Sequence, residues 1–115
     1  MLELKTEQNE EELSPETKLW RAVIQRAFED VIYPGMERAL IMFKYQAHLW
    51  FVDDKDNFKI ICSLAGIPHE LVRDKYLSMV DNEQIYFTKD QINYINWRKQ
   101  YNARRDIDDE TGDFI

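Results

Sequence analysis

The stretch Phe58 to Leu77, FKIICSLAGIPHELVRDKYL, decides the fold, because two short apolar-periodic segments meet there across Ala65-Gly66-Ile67 with no room for a long loop. Phe58, Ile61, Cys62 and Ala65 share one helical face. Gly66 tolerates the positive φ that ends a helix, and Pro68 suits the first turn of the next. The inner side of that second helix reads Leu71, Val72 and Tyr76. This is helix-turn-helix spacing. A DNA-reading unit built this way would turn His69, Glu70, Arg73 and Asp74 toward a major groove, where the two carboxylates repel phosphate. Lys75 also takes a position that such units usually bury. A helical hairpin that only shares the geometry is the plainer alternative, and the residues leave both open.

Working outward, Ser14-Pro15-Glu16 combines a serine N-cap, a first-turn proline and a glutamate at the positive helix end. Leu19, Trp20, Val23, Ile24, Ala27, Phe28 and Val31 then recur every three or four residues, predicting a first helix from about Pro15 to Ile32. Tyr33-Pro34-Gly35 breaks it. A second helix runs from Met36 to near Phe51 on a stripe of Ala39, Leu40, Phe43, Ala47 and Trp50, with Glu37, Arg38 and Lys44 off that stripe. Asp53 to Asn57 is a polar break before a third helix, about Asn57 to Leu64, and the fourth covers Pro68 to Met79. Ile85-Tyr86-Phe87 is an extended connector too short to make a sheet. Thr88 with Gln91 three residues on is a capping box that opens a fifth helix, expected to fray near Arg105.

The expected fold is all-α: a compact bundle of about five helices with a helix-turn-helix-like unit. Its core is expected to hold Trp20, Val23, Ile24, Phe28, Leu40, Phe43, Trp50, Phe58, Ile61, Leu64, Val72 and Ile95, with Cys62 buried. Residues 14–105 form one domain, flanked by flexible acidic tails at 1–13 and 106–115.

A chain of 115 residues with 44% hydrophobic and 13% aromatic content fills one modest core without disulfides. The single cysteine, the lack of a signal peptide and the lack of any apolar run near the roughly 20 residues of a membrane span predict a reducing, cytoplasmic setting and no membrane partner. The net charge of −7 is concentrated at the ends: residues 1–17 and 106–115 each carry −5, leaving the body at +3. A weakly basic body between acidic ends can touch phosphate, while the plainer role of the tails is solubility.

Residues suited to catalysis are few. His48, His69 and Cys62 lack metal-ligand spacing, so no zinc site is expected. Asp54 and Asp56 imitate the start of a calcium loop, but the loop glycine is missing and Ala65 stands where its closing glutamate belongs. Paired carboxylates sit in loops and tails, where nothing separates their pKa values. No enzyme activity, cofactor, metal or small-molecule substrate is expected.

The stronger candidate is TKDQINYINWRKQYNARR, residues 88–105, where Tyr94, Trp97 and Tyr101 share a helix with Arg98, Lys99, Arg104 and Arg105. Cations beside aromatic rings hold phosphate and stack on bases; they equally suit a protein groove, or a core tryptophan with solvated charges around it. The run from Asp106 to Glu110 could pair with those cations. At the end of the chain, DDETGDFI places Phe114 and Ile115 on a charged tether that could dock in a partner's pocket. Asp113, Phe114 and Ile115 loosely resemble the acidic-aromatic tails by which phage transcription factors bind sliding clamps.

Leu19-Trp20-Arg21-Ala22-Val23-Ile24, Ala27, Asp30, Ala47, Trp50, Phe58, Ile61-Cys62, Leu64-Ala65-Gly66-Ile67 and Val72-Arg73 together resemble a family of small bacteriophage and prophage proteins. The resemblance spans residues 19–73. It implies a compact helical protein of phage origin acting in the bacterial cytoplasm, and it carries over no biochemical activity. The expected function is a non-catalytic, phage-encoded, helix-turn-helix-like regulator of DNA or the transcription machinery. In that role His69 and Arg73 face a groove while Arg98, Lys99, Arg104 and Arg105 position phosphates. The alternative is an adaptor or inhibitor that binds a host or phage protein through its acidic tails and an aromatic surface of Trp97, Tyr101, Phe114 and Ile115.

Overall fold

A computed structural model describes residues 12–53 and 56–110, the last five as backbone. Five helices follow in order: α1 Pro15–Val31, α2 Arg38–Val52, α3 Asp56–Leu64, α4 His69–Asp81 and α5 Lys89–Glu110. Among the described residues there is no strand. α1 packs on α2 and α3, α3 on α4, and α5 lies against α2.

Local chemistry accounts for most of the helix ends. Ser14 Oγ accepts the Thr17 N–H at 3.1 Å and opens α1. At the end of α3, Gly66 has φ +69°, its N–H bonds the Ser63 carbonyl, and the Ile67 N–H reaches back to the Cys62 carbonyl, both at 3.0 Å. This is a Schellman turn, and the side chains of Cys62 and Ile67 are both buried beneath it. The same motif ends α4, but there Glu83 occupies the left-handed position at φ 61°. The Glu83 N–H bonds the Val80 carbonyl, and the Gln84 N–H bonds that of Met79. Thr88 and Gln91 form the capping box of α5: Thr88 Oγ1 accepts the Gln91 N–H at 3.1 Å, and Gln91 Oε1 accepts the Thr88 N–H at 3.0 Å.

The core is aromatic at its centre. Phe51 stacks on Tyr76 with centroids 4.7 Å from Phe28 and 4.6 Å from Tyr76, and Trp50 meets Phe58 edge-on at 4.9 Å. Ile24, Val31, Cys62, Ala65, Val72 and Met79 fill in around them. Burial of this kind supplies most of the stability of short helices, which are marginal alone.

Several expectations are corrected. α2 does not bury the stripe read from its sequence. Ile41, Lys44, Ala47 and Phe51 point inward, while Phe43 is exposed and Leu40 and Trp50 are half-buried. Val23, Leu64 and Leu71 are also exposed. Lys44, expected off the apolar stripe, is only 1% exposed. α5 continues to Glu110 rather than fraying at Arg105, so the first acids of the expected C-terminal tail are helical. The remaining tail residues, 1–11 and 111–115, lie outside the described residues.

Candidate nucleic-acid interface

The two residues proposed for groove reading on α4 are held by the protein itself. Arg73 Nε donates to the Phe51 carbonyl at 2.8 Å, and its guanidinium lies 4.7 Å from the centre of the Phe58 ring. Arg73 thus covers the C-terminal end of α2, where helix carbonyls lack intrahelical donors. His69 Nε2 is 2.8 Å from a Glu70 carboxylate oxygen. Glu70 and Asp74 stand exposed on the same helix. Arg21 of α1 also braces the turn, donating from Nε to the Ala65 carbonyl at 2.9 Å. In both cases a guanidinium ties two elements together, and neither is directed at a groove.

On α5 the predicted residues assemble differently. Tyr94, Trp97 and Tyr101 recur at helical spacing and stack in a ladder, with centroids 6.0 Å apart for the first pair and 5.7 Å for the second, at interplanar angles of 30° and 21°. Trp97 is 52% and Tyr101 45% exposed, so of the alternatives read from the sequence the core tryptophan is not the one adopted. Arg98 lies 5.8 Å from the Tyr101 ring centre, and Arg38 from α2 lies at the same distance from the Tyr94 ring. Arg104 and Arg105, both exposed, follow along the same side of the helix by spacing. Lys99 belongs elsewhere: it turns to the opposite side of α5, with its ammonium 5.4 Å from the Tyr45 ring. Arg38 was not foreseen, since no local motif links it to a helix some fifty residues later.

The base of α5 is fixed by a buried polar hub. Lys44 Nζ donates to the carbonyls of Tyr33 and Tyr86 at 2.7 and 2.6 Å and to Gln91 Oε1 at 2.8 Å. Gln91, fully buried, donates from Nε2 to the carbonyls of Tyr33 and Gly35 at 3.1 and 2.9 Å. Lys44 therefore joins the α1–α2 loop, the connector after α4 and the start of α5 through neutral acceptors. Burial pushes its ammonium down to about 8. Tyr33 approaches Gly35 closely: a Cβ there would meet the phenol oxygen at 2.5 Å and displace a ring whose oxygen accepts the Glu37 N–H at 2.9 Å.

A second surface is apolar. Leu19, Val23, Phe43 and Trp50 line an open groove of about 500 Å³ between α1 and α2, with the Arg26–Asp30 ion pair at its edge. Among the described residues, no three carboxylate, imidazole or thiol groups cluster for a metal. No helix described is long and apolar enough to cross a membrane. Phe114 and Ile115 lie outside the described residues. No protein family, curated protein or solved structure matches the chain.

Proposed function

We propose that this protein is a non-catalytic regulatory protein that associates with nucleic acid through α5, with the helix-turn-helix-like α3–α4 unit as its scaffold. The supporting observation is the ladder of half-buried Tyr94 with exposed Trp97 and Tyr101, flanked by Arg38 and Arg98. Aromatic faces stack on unpaired bases of any sequence, and guanidinium groups beside them take the phosphates. A duplex hides its base faces, so the preferred ligand is single-stranded. α4 contributes little to contact, because Arg73 is occupied with the Phe51 carbonyl and Glu70 and Asp74 would repel phosphate. The resemblance to phage proteins supports a role in the bacterial host cytoplasm, on DNA or on a transcription complex that exposes single strands.

Fluorescence anisotropy on labelled single-stranded and duplex oligonucleotides across a salt series tests this. The single strand is expected to bind more tightly, with Trp97→Ala and Tyr101→Ala each weakening it by about 1–3 kcal/mol per stacked base lost. Arg98→Ala, Arg104→Ala and Arg105→Ala together are expected to flatten the salt dependence. No binding of either oligonucleotide at low salt would overturn the reading. The adaptor reading would then stand, supported by the open apolar groove of Leu19, Val23, Phe43 and Trp50.

A further inference from the structure

On the side of α5 away from the aromatic ladder, α2, the connector after α4 and α5 border a small cavity of about 210 Å³ that is open to solvent. Its walls are the rings of Tyr45, His48 and Phe87 with Ile92, and Asn96 and Lys99 also line it. His48 and Phe87 meet edge to face with centroids 5.5 Å apart. A cavity of this size is below the usual range for drug-sized ligands, about 300–1,000 Å³, and suits a single ring.

The hydrogen-bonding character of the cavity follows from a buried neighbour. The Tyr76 phenol is 1% exposed and bonds His48 Nδ1, its one polar partner among the described residues. Burial pushes the phenol up to about 12, so it keeps its proton at neutral pH and donates it to Nδ1. His48 itself is shifted down by burial, partly offset by Asp53, and is neutral there. With Nδ1 accepting, the imidazole proton sits on Nε2, and His48 presents a donor as its remaining polar atom. The Lys99 ammonium and the Asn96 amide are donors on the same cavity. No carboxylate lines it. Aromatic walls with donors and a positive charge call for a flat apolar body bearing an anionic acceptor.

We propose that the α2–α5 cavity binds a single-ring aromatic carboxylate, with the ring between Tyr45 and Phe87 and the carboxylate held by Lys99 and His48 Nε2–H. This site goes beyond the nucleic-acid reading and does not depend on it, since the ladder lies on the other side of α5 and the test uses no nucleic acid.

Benzoate is the probe, titrated into the full-length protein and followed by amide and side-chain NMR shifts. Saturable one-to-one binding is expected, with shifts concentrated at His48, Phe87 and Lys99. Benzamide, which keeps the ring and loses the charge, is expected to bind at least tenfold more weakly, as is acetate, which keeps the charge and loses the ring. Lys99 is exposed, so Lys99→Gln is expected to leave the circular dichroism spectrum unchanged while weakening benzoate at least tenfold. Ile92→Trp, at another exposed position, narrows the cavity and is expected to abolish binding. Equal affinity for benzoate and benzamide, unchanged affinity in Lys99→Gln, or the absence of saturable shifts would each overturn the proposal.

Discussion

Two residues in left-handed backbone conformations show how one side chain sets a helix end. Gly66 and Glu83 occupy the same place in two Schellman turns, at φ +69° and 61°. The space around Gly66 is open, since an added Cβ would come no closer than 3.8 Å to Arg21 and 4.0 Å to Thr17. The penalty for a side chain there is therefore one of backbone. Gly66→Val is expected to destabilise by about 1–2 kcal/mol and Gly66→Asn by less, because asparagine tolerates this region. Glu83→Gly is expected to stabilise by about 0.5–1 kcal/mol, the relief of the left-handed penalty less the entropy a glycine adds to the unfolded chain. Urea midpoints at constant slope measure all three. His48 gives a pH signature at the same scale. Its folded pKa lies below the ordinary value of 6.5, so the unfolded chain binds the proton first, and stability present above 6.5 is lost as the pH falls. Unfolding midpoints between pH 7.5 and 5.5, chosen to stay above ordinary carboxylate titration, are expected to fall in the wild type and to flatten in His48→Gln.

At the scale of elements, the helices themselves were readable and their orientation was not. The Ser14 cap, the Gly66 turn and the Thr88–Gln91 box are local signals, and each appears with the expected hydrogen bonds. α2 misled because it is apolar on nearly every side, so the stripe through Leu40, Phe43 and Trp50 fits a helical period as well as the one that is buried. The deciding residue is Lys44. A lysine reads as solvent-facing, yet its ammonium finds three oxygen acceptors from segments distant in sequence. Lys44→Met is expected to destabilise by about 2–4 kcal/mol, because the carbonyls of Tyr33 and Tyr86 lose a donor in a buried setting. Hydrogen exchange should then quicken at the start of α5 ahead of the α3–α4 turn. Equal stability would mean that removing the desolvated charge offsets the lost bonds.

For the whole molecule, the distribution of charge matters more than its sum. The −7 total conceals a body of +3 between two acidic ends, and α5 carries the change of sign from Arg104 and Arg105 to Asp106. Ending the chain after Arg105 removes five acids and no base. That truncation is expected to tighten oligonucleotide binding and to steepen its salt dependence, because the acids no longer compete with phosphate for the same arginines. Weaker binding after truncation would assign the end of the chain a direct role in contact. The candidate surface was legible in part: the aromatic and basic residues of α5 stood out by type and spacing. Their division was not, since Arg98 and Lys99 are neighbours in sequence, yet Arg98 lies over the Tyr101 ring and Lys99 over the Tyr45 ring of α2.

Element type, the capped starts of α1 and α5 and the tight α3–α4 turn were determined by the sequence alone, because each depends on residues within one or two turns of one another, whereas the end of α5 was not. The tertiary structure decided which face of α2 is inside, the inward turn of Arg73 and the burial of Lys44. The reason is physical. Whether a charged side chain can leave water depends on acceptors such as the Phe51, Tyr33 and Tyr86 carbonyls, and only the packed helices bring those to the right place.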